Sequence, residues 1–136
     1  MEKLKILIVD DDLISRKYLN GILRQYGRCD IAANGKEAIE YIEMSLEQQQ
    51  LYDIVFLDIM MPEMDGDETL VQIRQIEDEA RIAAGQGVKI AMISALNDKK
   101  NILSSFSKGC EYYLVKPVHH EKIREIMEEL GNGGHH

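Results

Sequence analysis

The chain has 136 residues, 45% of them hydrophobic and 29% charged, which is the size and make-up of one globular domain. Its 24 acidic residues against 16 basic ones give a net charge of -8, and that balance argues against a general nucleic-acid binder, whose phosphate contacts need Lys and Arg. No apolar run reaches the length of a membrane span, and no signal-peptide core precedes the first charged residues. Cys29 and Cys110 lie far apart with no metal-like spacing, and two of the four His are terminal, so a zinc site is not expected. Unpaired thiols fit a reducing compartment, and the expected location is the cytoplasm.

Residues 4–9 (Leu-Lys-Ile-Leu-Ile-Val) predict a buried strand that stops at Asp10-Asp11-Asp12. Residues 13–26 have helical spacing through Ile14, Leu19, Ile22 and Leu23, with Gly27 as a stop. A short strand over 28–32 leads to an Asn34-Gly35 turn and a helix over 36–50, striped by Ala38, Ile39, Ile42 and Leu46. Residues 53–57 predict the third strand. Ile54, Val55, Phe56 and Leu57 are continuously apolar, as a strand covered on both faces must be, and the run ends at Asp58. Pro62 and Asp65-Gly66 punctuate the following turn. A long, mixed-charge helix is expected over 65–84, with an end that protrudes, and Gly85-Gln86-Gly87 closes it. A strand over 88–94, a helix over 98–108 stopped by Gly109, a strand over 111–115 broken at Lys116-Pro117, and an amphipathic helix over 119–130 complete the chain. Residues 131–136 read as a flexible remnant of an expression tag, leaving 1–130 as the domain.

Five strands alternating with five helices imply an α/β fold: a parallel sheet with right-handed crossovers and helices on both faces. All strand C-termini then share one edge. Asp10, Asp11 and Asp12 follow the first strand, Asp58 ends the third, Ser94 ends the fourth, and Lys116 follows the fifth. Two like charges about 4 Å apart cost roughly 4 kcal/mol at an effective dielectric near 20. Clustered carboxylates therefore call for Lys116 and a hard divalent cation, and Mg²⁺ (or Mn²⁺) takes such oxygen ligands. A cation, a carboxylate, a Lys and a hydroxyl together suit phosphoryl transfer.

Four segments, Ile6-Leu7-Ile8-Val9-Asp10-Asp11-Asp12, Leu57-Asp58-Ile59-Met60-Met61-Pro62-Glu63-Met64-Asp65-Gly66, Ile93-Ser94-Ala95 and Tyr113-Leu114-Val115-Lys116-Pro117, strongly resemble the receiver domain of two-component response regulators. The resemblance covers essentially residues 4–130 and implies a flavodoxin-like (βα)5 sandwich with strand order 2-1-3-4-5. It implies that Asp58 is the phosphoacceptor. Asp10 and Asp11 would be the acidic Mg²⁺ pair, Asp11 the more direct ligand, with Asp58 and the backbone carbonyl of Met60 completing the metal set. Ser94 would be the switch hydroxyl, Tyr113 the aromatic that moves with it, Lys116 the partner of the phosphoryl oxygens, and Lys116-Pro117 a cis bond. The implied partners are a sensor histidine kinase or phosphotransfer protein and a downstream target or output domain. Phosphorylation-dependent homodimerisation is a further implication, on the face of the fourth helix, fifth strand and fifth helix. No direct nucleic-acid or membrane contact and no independent substrate turnover are expected.

Each residue alone has a plainer explanation. Aspartates after the first strand can simply cap the next helix, Asp58 can be a turn residue, Lys116 a surface charge, Tyr113 a core aromatic. The joint pattern decides. Val118 stands where the family often has a larger apolar residue, which changes packing rather than chemistry. Met60 and Leu96 occupy variable positions flanking the phosphoryl site; both are apolar, which predicts a long-lived acyl phosphate.

Three rivals remain at this level. A phosphatase resembling the haloacid-dehalogenase class would use Asp10 as nucleophile, but no acidic pair follows Lys116 on another strand, and the chain is short. A flavin-binding module would be repelled by three aspartates. A docking-only receiver would lack the acceptor or the Lys, and both are present.

Overall fold

The computed structural model describes residues 4–95 and 102–133. The elements run β1 (Leu4–Val9), α1 (Leu13–Leu23), β2 (Gly27–Ala32), α2 (Gly35–Glu47), β3 (Ile54–Asp58), α3 (Gly66–Glu79), β4 (Lys89–Ser94), α4 (Ile102–Ser107), β5 (Tyr112–Val115) and α5 (His120–Gly133). The five strands form one parallel sheet in the order β2-β1-β3-β4-β5, the flavodoxin-like arrangement expected.

Alternation along the strands builds two cores. Leu7, Val9, Val55, Leu57, Ile90 and Met92 pack on one face with Ala38 and Ile42 of α2 and Leu70 and Ile73 of α3. Ile6, Ile8, Ile54, Phe56, Ala91 and Ile93 pack on the other with Leu19, Ile22 and Leu23 of α1 and Ile123, Ile126 and Met127 of α5. A strand in the middle of such a sandwich has no solvated face, which is why β3 is buried at all five positions, Asp58 included. Each fully buried Leu, Ile or Phe contributes about 1.5–3 kcal/mol, so the sheet centre holds the strand ends rigidly.

Three helices start on side-chain caps. Asp12 accepts from the Ser15 N–H at 2.9 Å, Asn34 from the Glu37 N–H at 2.9 Å, and Asp65 from the Glu68 N–H at 2.9 Å. Asp12 is thus the capping residue of its acidic trio. Gly66 is required at the start of α3. A Cβ there would sit 2.5 Å from the Asp58 carbonyl oxygen and 2.7 Å from the Ile59 Cα.

Several boundaries differ from the sequence reading. The third helix stops at Glu79, not near residue 84, because Arg81 turns into the left-handed region (φ 64°) and the Glu77 carboxylate reaches past the helix end to accept from the Val88 N–H at 2.7 Å. Helix α2 ends at Glu47, and left-handed Gln49 (φ 56°) follows. Helix α5 continues through Gly133, three residues past the expected stop. Of the expected helix over 98–108, the first four residues lie outside the described residues, as do Leu96 and positions 134–136 of the expected tail.

Candidate functional site

The sheet order reverses between β1 and β3: the chain leaves β1 for β2 on one side and returns through β3 on the other. Such a switch point opens a crevice at the strand C-termini, where open α/β sheets bind ligands. Val9 pairs with Leu57 across the two strands, so the next residues, Asp10 and Asp58, flank that crevice. Asp58 pairs with Ile93 and Ser94 with Val115, which sets the ends of β4 and β5 alongside. The ladder continues one step beyond: the Ile59 N–H donates to the Ile93 carbonyl at 2.9 Å and the Lys116 N–H to the Ser94 carbonyl at 2.8 Å.

Asp10 is fully buried and Asp58 is 2% exposed. One Asp10 oxygen, Oδ1, accepts from the Asp12 N–H at 2.9 Å, while Oδ2 is buried with no hydrogen-bond partner. Asp58 Oδ1 accepts from the Met60 N–H at 3.3 Å, and Oδ2 lies 3.5 Å from the Lys116 ammonium. Carboxylate oxygens of Asp10, Asp11 and Asp58 gather within 4.8 Å of one another.

Burial, then the neighbouring Asp10 charge, pushes the Asp58 carboxyl up from 3.8 to about 6; Lys116 and the Met60 N–H act against this. Burial also raises Asp10, opposed mainly by the Asp12 N–H and Lys116. Asp12 goes the other way: its two hydrogen bonds from Ser15 favour the ionised form. A buried carboxylate oxygen without a donor is costly. A buried, unpartnered oxygen on Asp10, in a residue grouped with the carboxylates of Asp11 and Asp58, is the oxygen donor set a hard divalent cation requires, so the residues present fit Mg²⁺ or Mn²⁺.

The remaining predicted residues fall around this centre. Ser94 is fully buried, and its hydroxyl donates to the Ala95 carbonyl at 3.3 Å. Tyr113 is half-buried against the α2–α3 side of the core, its ring centroid 6.3 Å from that of Phe106 on α4. Met60 presents a side chain that is 65% exposed. The Lys116-Pro117 bond is cis, as expected. Leu96 lies outside the described residues.

Two contacts to the site escaped the sequence reading. The Arg16 guanidinium donates to the Asp10 carbonyl at 3.2 Å, and the Tyr18 hydroxyl donates to the Val118 carbonyl at 2.7 Å. Both are side chains of α1 with no motif around them, and the second contact spans 100 residues of sequence.

A parallel five-stranded sheet in the order 2-1-3-4-5, with an acidic crevice at the strand C-termini faced by a lysine, is the architecture of a flavodoxin-like receiver fold. The family model for the response regulator receiver domain matches residues 6–128. The chain is 32% identical to the chemotaxis protein CheY of Listeria monocytogenes over 93% of this chain and 97% of that protein. Among solved structures it is similar to the CheX–CheY–BeF3–Mg²⁺ complex from Borrelia burgdorferi (31% identity, TM-score 0.77, covering 93% of this chain and 89% of that one). It is also similar to the complex of the histidine phosphotransfer protein Ypd1 with the receiver domain of Ssk1 from Saccharomyces cerevisiae (27% identity, TM-score 0.79, covering 96% and 90%). It spans only 8% of a hybrid signal transduction histidine kinase from Dictyostelium discoideum and 26% of the transcriptional regulatory protein ZraR from Klebsiella oxytoca. The chain belongs to the response regulator receiver domain family.

Proposed function

We propose that this receiver domain, residues 1–130, is a phosphorylation-controlled switch that takes a phosphoryl group on Asp58 from a histidine kinase or a phosphotransfer protein. The observation that carries the reading is Asp58 itself: a strand-end carboxylate in the switch-point crevice, 3.5 Å from Lys116 and grouped with Asp10 and Asp11. In the transfer, an Asp58 oxygen attacks phosphorus in line. The P–O bond forms as the donor's P–N bond breaks, and the imidazole leaves with the electron pair. Asp10, Asp11, Asp58 and the Met60 carbonyl would hold the Mg²⁺, which supplies neutralisation of the phosphoryl oxygens. Lys116 balances a further charge on those oxygens, and Ser94 leaves the Ala95 carbonyl to donate to them.

A protein donor is supported by the rim of the site. Leu13 (55% exposed), Ile14 (77%) and Met60 (65%) offer apolar contact that a small phosphodonor would not use. The readout follows Ser94 to Tyr113 and Phe106, so that phosphorylation biases a pre-existing equilibrium of the α4–β5–α5 face toward a downstream target, an output domain or a second copy. The chain would support its own phosphorylation and dephosphorylation without turning over an independent substrate. No helix among the described residues is long and apolar enough to cross a membrane, and both cysteines are free, which supports a cytoplasmic location.

The test is mass spectrometry after incubation with acetyl phosphate, with and without Mg²⁺. A Mg²⁺-dependent single phosphoryl adduct on Asp58, missing from Asp58→Asn, is the expected result. An adduct on Asp10 would instead revive the phosphatase reading, and no adduct with any donor would leave a docking scaffold.

A further inference from the structure

The loop that carries Lys116 is tied down at two points. On one side the Lys116 N–H donates to the Ser94 carbonyl of β4 at 2.8 Å. On the other, two residues further along, the Val118 carbonyl accepts from the Tyr18 hydroxyl at 2.7 Å. Tyr18 belongs to α1, whose N-terminus emerges from the acidic end of β1. Its ring also meets His120, the first residue of α5, edge to face at 6.0 Å between centroids. One α1 side chain therefore spans from the element beginning at Asp12 to the turn between β5 and α5.

We infer that Tyr18 is a positioning residue for phosphoryl transfer, which acts by fixing the turn that carries Lys116 toward Asp58. The inference rests on the phosphoacceptor reading of Asp58. The physical reason is the length of the lysine side chain. An ammonium on a flexible four-carbon stem holds a set distance from Asp58 only if its backbone is fixed, and a loop is fixed only by what it bonds to. Val118 is 8% exposed, so its carbonyl region is sheltered, and the partner it has is the Tyr18 hydroxyl. The contact makes no demand on the carboxylate cluster, because the Tyr18 hydroxyl bonds to the Val118 carbonyl and not to Asp10, Asp11 or Asp58. The role thus separates from cation binding.

Tyr18→Phe removes the hydroxyl and keeps the ring against His120. Its expected effect is a roughly 3- to 10-fold fall in the rate of Asp58 phosphorylation by acetyl phosphate, the size set by one hydrogen bond. Mg²⁺ affinity, measured by calorimetric titration, stays unchanged, and the backbone amide resonances of Lys116, Val118, His119 and His120 shift. In a Lys116→Ala background the same substitution gives no further slowing. A wild-type rate in Tyr18→Phe would overturn the inference. So would an equal slowing in the Lys116→Ala background, or a matching loss of Mg²⁺ affinity, since either would mark a general structural role. A wild-type chain that gains no phosphoryl on Asp58 would sink the phosphoacceptor reading and this inference with it, and that outcome is visible before any variant is compared.

Discussion

Lys116 Nζ lies 3.5 Å from Asp58 Oδ2, a carboxyl group that burial and a neighbouring Asp10 both push toward its neutral form. Under the proposed function, the pair would keep a carboxylate at the centre of a sandwich available as a nucleophile. The ammonium offsets part of the cost of ionising Asp58, and under the proposed function it would also meet the phosphoryl oxygens. Lys116→Ala should therefore move the Asp58 titration above about 6, measured by carbon-13 NMR of the labelled carboxyl. It should also slow phosphorylation by acetyl phosphate. An unmoved Asp58 titration would mean that solvent screens the pair, since the Lys116 side chain is 37% exposed.

The same raised Asp58 makes a statement about stability and pH. Folding lifts its pKa from 3.8 to about 6, so the folded state favours the protonated acid. Below about pH 4 the group costs nothing. As pH rises from about 4 to about 6 the unfolded chain ionises before the folded one, and the folded state loses stability, by about 3 kcal/mol in full above pH 6 for a shift of this size. Asp58→Asn should therefore stabilise the metal-free protein at pH 8 by about 1–3 kcal/mol in urea denaturation, with the gain gone near pH 3.5. Saturating Mg²⁺ should shrink the gain at pH 8, because the cation stabilises the wild-type carboxylates by binding only the folded form. A variant equally stabilised at pH 3.5 would point to packing rather than charge.

The backbone beneath Asp58 is equally specific. Gly66 packs where a Cβ would meet the Asp58 carbonyl oxygen at 2.5 Å, and its N–H donates to the Ile59 carbonyl at 2.9 Å. Gly66→Ala should cost about 1–3 kcal/mol by overpacking. Because the clash falls on the peptide that carries Asp58, phosphorylation should slow by more than the lost stability accounts for. The check is a phosphorylation rate measured under conditions where the variant is fully folded.

These predictions also show how much was legible in the chain. The buried strands were readable because continuous apolar runs in a short α/β chain have one use, and Asp58 was readable because a single carboxylate ended the most apolar of them. Asp12 was readable as a cap from its place before a helical pattern. The end of α3 was not. Its periodicity runs on past Glu79, and what stops it is set by the fold: Arg81 turns left-handed, and the Glu77 carboxylate, held by Arg74, accepts from the Val88 N–H beyond the helix end. Tyr18 was hidden for the same reason, since its partner, the Val118 carbonyl, is a backbone atom that no sequence pattern marks.

Arg74 supplies a control for the active-site variants. It sits at the N-terminal edge of the sheet, away from the strand ends that carry Asp10 and Asp58, and it pairs with Glu77, whose side chain is 9% exposed. Arg74→Met would remove the charge partner of Glu77 and leave it the Val88 N–H, at a cost of about 1–3 kcal/mol. The loss should show in urea denaturation, while Mg²⁺ affinity of the folded fraction stays at the wild-type value. A changed Mg²⁺ affinity would mean that the two ends of the sheet are coupled.

Met60 sets the last expectation, the lifetime of the phosphoryl group. Its N–H donates to Asp58 Oδ1 at 3.3 Å, which holds the residue at the mouth of the crevice, while its side chain is 65% exposed and has only a thioether to offer. Hydrolysis of an aspartyl phosphate requires a water aligned behind phosphorus, and a thioether neither accepts strongly from that water nor orients it. The acyl phosphate should therefore be long-lived in the wild type, and Met60→Asn, which adds an amide able to bind the water, should shorten it several-fold. The decay is followed by phosphate release after the donor is removed, at constant Mg²⁺. An unchanged half-life in Met60→Asn would show that water is excluded or directed by something other than this side chain.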